Sequence, residues 1–592
     1  MSARLVSLPG GAEPATALRS LAAGLVSGVV PVVLVADDLV VADAALAPLT
    51  HDPFAPTSLL VRPATRGGDV RVRHHLVTSA GSGFHGVTAP DHRSVGALLI
   101  SAADAEAAGA AVSALADAVA AGVVPTQGRD AVELVAVALT RGGVAVRAVG
   151  MVDVPWSRDA SQPAAARAAA ASVDEARIAR LQANRVDDGF YSTFVVRRLS
   201  KPLTRAALNL GWTPNAITLL SFAIGIAAAA SFAWGSRWAL VVGALLLQAS
   251  LVVDCVDGEV ARATRRFSAL GAWLDASTDR VKEFLAYAGL AIGAARGGLD
   301  VWWLAVVLVV LQTTRHMSDY DFSRVQRLRE AYVPPRDIAI ADDGADGSAG
   351  GWSVSGAMEL SSRMNRRDAV RWAKRAIHLP IGERWLIISV FAAALGPAWA
   401  LGVLLGAGLL ALAYVTVGRT LRTLTWRGPT AASGVLLLTR QADAGPLLSA
   451  VTRLVPPARR ITWWQGRGAW AVPALLRLVE LSAVAAAAFL ASPQPLVAAF
   501  WWMAVVAFHH YDNLYRALQG SAAPRWLAWP GLGWDGRTIV VIGLAVLGVG
   551  SLATGLAWGA WLLAGWFVVI ASVQWLSVQR EASRSSGPAD GS

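Results

Sequence analysis

Two neighbouring stretches decide the fold, DCVDGEVAR at residues 254–262 and GAWLDASTD at residues 271–279. The two acids that open the first stretch stand three positions apart, and those of the second stand four apart. On a helix, such spacings place both side chains on one face. Two helices joined by a loop over residues 263–270 would bring all four carboxylates to one site. The four acids are Asp254, Asp257, Asp275 and Asp279.

Four carboxylates beside apolar segments predict a cation. They repel one another and are costly to desolvate unless a positive charge compensates them. Oxygen ligands without a nearby Cys or His favour magnesium or manganese over zinc. Gly258 and Ala261 have small side chains that would let a nucleotide lie against the helix, and Arg262 is placed to hold a phosphate. The alternative is that the acids cap helices or pair with neighbouring arginines at the membrane interface.

The two stretches match the pattern D-x2-D-G-x2-A-R-x8-G-x3-D-x3-D at every fixed position, and TPNAIT at residues 213–218 is similar to a T-P-N-x-x-T motif. With these motifs, residues 185–425 resemble the CDP-alcohol phosphotransferase family. The resemblance implies a six-helix membrane bundle that forms a homodimer. It also implies transfer of a phosphoalcohol group from a CDP-alcohol donor to a hydroxyl acceptor.

The resemblance also implies roles for residues. Two divalent cations, magnesium or manganese, would neutralise the pyrophosphate and stabilise CMP as it leaves. Asp279 would lie near the metal and act as general base. The implied metal ligands are Asp254, Asp257, Asp275 and Asp279. The residues implied to line the CDP site are Asn215, Thr218, Gly258, Ala261, Arg262 and Ser268.

Two later segments resemble the branch of this family that includes enzymes using inositol phosphate. They are RHMSDYDF at residues 315–322 and KRAIHLPIGER at residues 374–384. An acceptor carrying its own phosphate would need cations near the site. The candidates are Arg315, Lys374, Arg375 and Arg384. The alternative is that they are cytoplasmic flanking charges, and we predict a structural role for His316 and His378.

Composition indicates a membrane protein. Of 592 residues, 55% are hydrophobic and 16% charged, and the single cysteine, Cys255, cannot form an intrachain disulfide. The formal charge of +11 is spread over short segments beside apolar stretches, so it indicates membrane topology rather than nucleic-acid binding. We therefore expect a multi-pass protein of the bacterial plasma membrane.

The predicted fold is a mainly α integral membrane protein with about ten spans. Six would form the catalytic bundle and four a C-terminal membrane domain over residues 426–580, followed by a disordered tail at 581–592. The spans are predicted at residues 217–234, 238–256, 281–296, 301–314, 385–400, 402–418, 470–490, 494–509, 538–554 and 558–577.

Basic flanks predict that the active site and both termini are cytoplasmic. They precede the first span and separate the second from the third, whereas the alternate connections are short and poor in basic residues. The flanking cations are Arg197, Arg198, Lys201, Arg205, Arg262, Arg265, Arg266, Arg280 and Lys282.

Residues 1–180 alternate short β-branched runs with Ala-rich stretches, which predicts a soluble α/β domain. It resembles a nucleotidyltransferase fused to such membrane domains, but a glycine-rich G-x-G-T-R opening is absent, so we predict a degenerate and inactive form. Asp37 and Asp38 are either metal ligands or a turn. The run 21–36 is predicted to be a buried strand and His85 a surface residue.

Two rival functions remain from the sequence. Intramembrane acids and about ten spans also suit a transporter, although its acids would line a path through several helices rather than gather in one motif. A catalytically silent scaffold is the other rival. The segment FHHYDNLYR at residues 508–516 is either a second binding site or a packing element.

Overall fold

The structure is a computed structural model that describes residues 4–6, 14–27, 31–51, 55–73, 75–126, 130–158, 163–175, 178, 189–330, 336–341, 372, 376–426, 432–455, 464–491, 495–518, 524, 526 and 529–585. The chain divides into two compact units. The first comprises residues 1–183, 262–267 and 326–350, and the second comprises residues 184–261, 268–325 and 351–592.

The first unit is built on a seven-stranded mixed sheet with the strand order β1-β2-β7-β4-β8-β6-β5. A further bridge between β5 and β7 curls this sheet towards a small barrel, and β3 pairs separately with β9. The strands are β1 (Arg4–Val6), β2 (Val32–Val35), β3 (Val40–Val41), β4 (Ser58–Pro63), β5 (Val70–Arg73), β6 (Leu76–Ala80), β7 (His92–Ile100), β8 (Arg147–Gly150) and β9 (Trp156–Ser157).

Helices cover this sheet and confirm the predicted α/β class. They are α1 (Pro14–Val26), α2 (Asp43–Thr50), α3 (Ala105–Ala120), α4 (Ala131–Arg141) and α5 (Pro163–Ala171). The apolar run over residues 21–36 was predicted as one strand, which is wrong for its first part. Its beginning completes α1, and only Val32–Val35 is a strand.

The prediction that His85 lies at the surface is also wrong, because this side chain is 2% exposed. One ring nitrogen lies 2.8 Å from the Ser82 hydroxyl and the other 2.9 Å from the Ile338 carbonyl. Arg141 donates to the carbonyls of Asp337 and Ile340. A short segment from far along the chain therefore supplies partners for buried polar groups of this unit.

The second unit is helical. Its helices are α6 (Arg197–Asn209), α7 (Pro214–Trp234), α8 (Arg237–Thr264), α9 (Ala269–Arg296), α10 (Trp302–Glu330), α11 (Ile381–Leu395), α12 (Pro397–Leu424), α13 (Ala432–Gln441), α14 (Pro446–Leu454), α15 (Val472–Leu490), α16 (Pro495–Leu518), α17 (Gly533–Val546), α18 (Val549–Leu563) and α19 (Ala571–Ser585).

Each of the ten predicted spans lies mostly on helix, although two of them cross a helix break. Five helical stretches are long and apolar enough to cross a bilayer by length and composition. They are Pro214–Trp234, Arg237–Thr264, Pro397–Leu424, Ala469–Leu490 and Val549–Arg580. The others are α9, α10 and α16, of 24 to 29 residues with charged positions, and the shorter α11 and α17, of 15 and 14 residues.

Two boundaries between predicted spans lie elsewhere than expected. One helix break falls at Gly396 rather than near residue 401, and another at Gly548 rather than near residue 556. Both glycines have positive φ angles, of 102° and 111°, which favour a residue without a Cβ. The last helix reaches Ser585, so the first five residues of the predicted tail continue the helix.

Small residues let α7 and α9 pack closely. A Cβ at Gly289 would lie 2.3 Å from the Ala229 carbonyl oxygen, and a Cβ at Gly293 would lie 2.2 Å from the Phe232 carbonyl oxygen. Glycines four positions apart permit such backbone contact between membrane helices. This contact brings the first apolar helix against the helix that carries the second acidic pair.

Candidate active site

The four acids of the motif meet where α7, α8 and α9 pack together. Asp254 and Asp257 lie on α8, and Asp275 and Asp279 lie on α9. One carboxylate oxygen from each of Asp254, Asp257 and Asp275 lies within 4.8 Å of the others. Three of the four predicted acids therefore converge, and Asp279 is connected to Asp254 through Lys282.

Helix α7 contributes hydroxyl groups to two of these acids. The Thr218 hydroxyl donates to Asp257 Oδ2 at 2.5 Å, and the Ser221 hydroxyl donates to Asp254 Oδ1 at 3.1 Å. Thr218 and Ser221 stand three positions apart and share a helix face. The hydroxyls orient the carboxylates without neutralising them.

These acids suit a divalent cation. The Asp275 carboxylate forms no hydrogen bond or ion pair with any residue that the structure describes. A carboxylate so placed among other acids is costly unless a cation is bound. The ligand atoms are oxygens, which are the atoms that magnesium and manganese prefer.

Lys282 lies inside the acidic cluster. Its Nζ is 2.6 Å from Asp254 Oδ1 and 2.9 Å from Asp279 Oδ1, and its side chain is fully buried. The sequence analysis counted this lysine among the flanking cations and did not predict its burial. The signal that marks it is its position three residues after Asp279, on the same helix face.

Two residues predicted to line the CDP site, Asn215 and Ser268, lie at the N-terminal ends of α7 and α9. The Thr213 hydroxyl caps α7, and the Ser268 hydroxyl caps α9 by accepting from the Gly271 amide at 2.9 Å. A Cβ at Gly271 would lie 2.9 Å from the Ser268 hydroxyl and 3.0 Å from Asn215 Oδ1. Asn215 and Ser268 therefore come together around Gly271.

The other predicted nucleotide residues follow the first acidic pair. Gly258 and Ala261 are partly exposed on α8, one and four positions after Asp257. Arg262 is also partly exposed, and it belongs to the segment 262–267 of the first unit. A role in nucleotide binding for these three residues stays a prediction.

The predicted acceptor cations differ in their surroundings. Arg384 pairs with Glu283 through Nε at 2.7 Å and Nη2 at 3.1 Å, and Arg280 donates to the same carboxylate at 3.1 Å. All three residues are buried, which the count of Arg280 among the flanking cations did not predict. Lys374 and Arg375 lie outside the described residues.

Arg315 has guanidinium nitrogens that could bind a ligand. Its Nη2 donates to the carbonyls of His378 and Leu379. Its Nε and Nη1 are buried and form no hydrogen bond with a described residue. A guanidinium with two unused groups is suited to an anion that enters the site.

Glu259 is a further buried acid within the motif, and it fixes a neighbouring helix. Its Oε1 accepts from Arg197 Nη1 at 2.6 Å and from the Ser200 hydroxyl at 2.9 Å. Its other oxygen accepts from Thr204. Arg197, predicted as a cytoplasmic flanking charge, pairs with this carboxylate, which attaches α6 to α8.

A second group of possible metal ligands lies in the C-terminal helices. Asp443, His509 and His510 each place one ligand atom within 4.8 Å of the others. Arg537 is 2.6 Å from Asp443 and 2.7 Å from Glu480. Arg477 lies 3.5 Å from Asp443 and 3.6 Å from Glu480. Two acids are matched by two arginines here, which indicates a packing network rather than a cation site.

The segment FHHYDNLYR joins this C-terminal region to the acidic motif. Asp512 accepts from the indole nitrogen of Trp273 at 2.9 Å. The Tyr511 hydroxyl lies 2.8 Å from a ring nitrogen of His316, which also contacts Arg280. These contacts agree with the packing alternative for the segment.

Comparisons with known proteins identify two regions. Residues 211–326 match the CDP-alcohol phosphatidyltransferase family, and residues 384–589 match a family of unknown function, DUF5941. The first region contains the four acids, Lys282 and Arg315.

Relatives match over part of their length. The chain is 33% identical to a phosphatidylinositol phosphate synthase of Mycolicibacterium smegmatis, over 22% of this chain and 57% of that protein. It is 38% identical to an archaetidylinositol phosphate synthase of Methanothermobacter thermautotrophicus, over 17% and 50%. It is 36% identical to a bifunctional IPC transferase and DIPP synthase of Aquifex aeolicus, over 18% and 24%.

The family match and the relatives are consistent with the clustering of the acids in the structure. This chain spans less than two thirds of each relative just described. The chain therefore carries a CDP-alcohol phosphatidyltransferase domain, and its relatives include phosphatidylinositol phosphate synthases and archaetidylinositol phosphate synthases.

Proposed function

We propose that this protein transfers a phosphoalcohol group from a CDP-alcohol to a hydroxyl acceptor and releases CMP. The observation that carries the proposal is the meeting of Asp254, Asp257 and Asp275 within 4.8 Å of one another. Asp279 reaches the same centre through Lys282. The family match over residues 211–326 supports this chemistry.

The proposed reaction is a substitution at phosphorus. The acceptor oxygen attacks the phosphorus that bears the alcohol, and a new P–O bond forms. The bond from this phosphorus to the bridging oxygen of the pyrophosphate breaks, and CMP leaves with the electron pair. Asp279 takes the proton of the attacking hydroxyl. The products are a phosphodiester and CMP.

Asp254, Asp257 and Asp275 would hold the divalent metal, and we propose magnesium or manganese. When bound, the metal supplies charge stabilisation for the pyrophosphate and for the leaving CMP. Thr218 and Ser221 orient two of the carboxylates. Asn215 and Ser268 would bind the donor beside Gly271, where an added side chain would fill the space between them.

We propose an inositol phosphate as the acceptor, in line with the names of two relatives. Arg315 is the better candidate for its phosphate, because Nε and Nη1 are unused among the described residues. Arg384 is held by Glu283 and serves the fold. Arg315→Gln should therefore raise KM for a phosphorylated acceptor and leave KM for a non-phosphorylated one unchanged.

The test is CMP release by the purified full-length protein in lipid with magnesium. CDP-diacylglycerol and CDP-inositol serve as donors, each with a panel of acceptors. Asp279→Asn should abolish CMP release, whereas Asp300→Asn, at an exposed aspartate, should not. CDP-alcohol binding without CMP release would favour the scaffold, and the absence of both would refute the transferase.

The membrane orientation is a separate proposal. The basic residues 197, 198, 201 and 205 before α7 support a cytoplasmic site. In a Cys255→Ser background, Arg266→Cys should react with an impermeant maleimide only from the cytoplasmic side, and Ser236→Cys only from the outside. The reverse pattern would contradict this orientation. Cross-linking of the same variants in membranes tests the proposed homodimer.

A further inference from the structure

Lys282 has an unusual position for a lysine, because it is fully buried among the acids of the motif. Three oxygen atoms lie within 2.9 Å of its Nζ. They belong to Asp254, Asp279 and the Ser221 hydroxyl, on three different helices. Nζ donates hydrogen bonds to Asp254 and to the Ser221 hydroxyl, and it forms an ion pair with Asp279, whose Oδ1 accepts no hydrogen bond from a described residue.

Several elements of the fold make room for this side chain. A Cβ at Gly225 would lie 2.7 Å from both Cγ and Cδ of Lys282, so only a glycine at this position of α7 leaves space for the lysine stem. The Trp385 ring centre lies 5.2 Å from Nζ. An aromatic face at this distance favours a cation. The lysine is therefore held by α7, α8, α9 and α11.

The cage around Nζ has the size of an ammonium ion and not of magnesium. Its oxygen distances are 2.6 to 2.9 Å, whereas magnesium binds oxygen at about 2.0–2.1 Å. Asp257 and Asp275 take no part in this cage. Asp254 thus belongs both to this cage and to the group that it forms with Asp257 and Asp275.

We propose that the Lys282 ammonium takes the place of a second divalent cation between Asp254 and Asp279, so that the centre binds one metal ion through Asp254, Asp257 and Asp275. This inference rests on the proposed function and replaces the expectation of two divalent ions. Lys282 is then a positioning residue, because it holds Asp279 and Asp254 in place without touching the reacting atoms.

The charges are consistent with this arrangement. Four carboxylates carry four negative charges, and Lys282 reduces the total to three. One divalent ion leaves a single negative charge, whereas a second divalent ion would leave a net positive charge beside a buried ammonium. Like charges at such short range are strongly unfavourable in a buried site.

The experiment counts metal ions. Purified full-length protein in detergent is titrated with Mn²⁺, and free Mn²⁺ is measured by electron paramagnetic resonance, with thermal unfolding as a check on folding. We expect one Mn²⁺ per wild-type chain and two per chain in Lys282→Met. Lys282→Gln, which keeps hydrogen-bond donors but no charge, should also bind two. Lys201→Met removes an exposed lysine and should bind one.

Three outcomes would overturn the inference: two Mn²⁺ in the wild type, one in both Lys282 variants, or none in any variant. CMP release by the same preparations separates this result from the proposed function. Two Mn²⁺ per wild-type chain with CMP release would refute the role of Lys282 and keep the transferase. One Mn²⁺ per wild-type chain and two in the Lys282 variants, without CMP release for any donor, would keep the one-metal centre and refute the transferase.

Discussion

Asp512 connects the C-terminal helices to the acidic motif, and its replacement should weaken both. The side chain is 3% exposed. Its Oδ1 accepts from the indole nitrogens of Trp273 and Trp575, each at 2.9 Å, and its Oδ2 accepts from Arg516 Nε at 2.7 Å. Trp273 stands two residues before Asp275 on α9. We consider Asp512→Asn and Asp512→Leu.

The two carboxylate oxygens of Asp512 have different partners, so the two substitutions remove different contacts. Asparagine can still accept from both indoles through its oxygen, but its amide would face the Arg516 donor. Removing one partner of a buried ion pair costs about 3–5 kcal/mol, and the lower end applies because Arg516 also lies over the Trp575 ring at 4.8 Å. Each interhelical hydrogen bond in a membrane protein adds about 0.6 kcal/mol. Asp512→Asn should thus cost about 3 kcal/mol and Asp512→Leu about 4 kcal/mol.

Thermal unfolding in detergent measures these losses, with Lys201→Met as the control. At about 2 °C per kcal/mol for a large domain, Asp512→Asn should lower Tm by about 6 °C. The double variant Asp512→Asn with Arg516→Met should recover most of this loss, because it removes both charges. A Tm within 1 °C of the control, or a double variant less stable than Asp512→Asn, would refute the reasoning.

Three further predictions concern other contacts. Burial raises the pKa of Asp130 and of Glu133, and both acids contact Arg158. Arg158→Met should destabilise the first unit by about 2 kcal/mol at pH 7, because the two carboxylates lose their cation. This loss of stability should shrink as pH falls through the raised pKa values, because protonation removes the repulsion between the two carboxylates. Hydrogen exchange of α4 at several pH values measures this, and a loss that grows in acid would contradict it. Glu259→Gln should increase hydrogen exchange throughout α6, at a cost of about 2 kcal/mol, and unchanged exchange would show that α6 is held by other contacts. Gly271→Ala should raise KM for the CDP-alcohol roughly 10-fold with thermal stability nearly kept, and an unchanged KM would place the donor elsewhere.

The sequence predicted the features that depend on local spacing. The acids of the motif are three and four positions apart, so any helix puts each pair on one face. Apolar length alone predicted helices at all ten expected spans. The helix breaks at Gly396 and Gly548 were misplaced, because a continuous apolar run does not show where the backbone adopts a positive φ angle.

Features that depend on contacts between distant segments could not be predicted. Arg280 and Lys282 follow a predicted cytoplasmic connection and so had the pattern of flanking charges. Their burial depends on contacts with other helices, such as those of Glu283 with Arg384 and of Lys282 with Asp254. The sequence also gave no indication that Ile338 would provide a carbonyl for buried His85. A charge near an apolar segment is therefore ambiguous until its partner is known.

Charge balance distinguishes the candidate active site from the other polar clusters of the second unit described above. Glu283 is matched by Arg280 and Arg384, Glu259 by Arg197, and Asp512 by Arg516. The acids at Asp443 and Glu480 face two arginines. Only around Lys282 do four carboxylates meet one basic side chain in these clusters. Because a buried excess of negative charge is costly, its concentration at one place supports the proposed binding of a cation there. The same reasoning disfavours a transporter, whose acids would be distributed along a path.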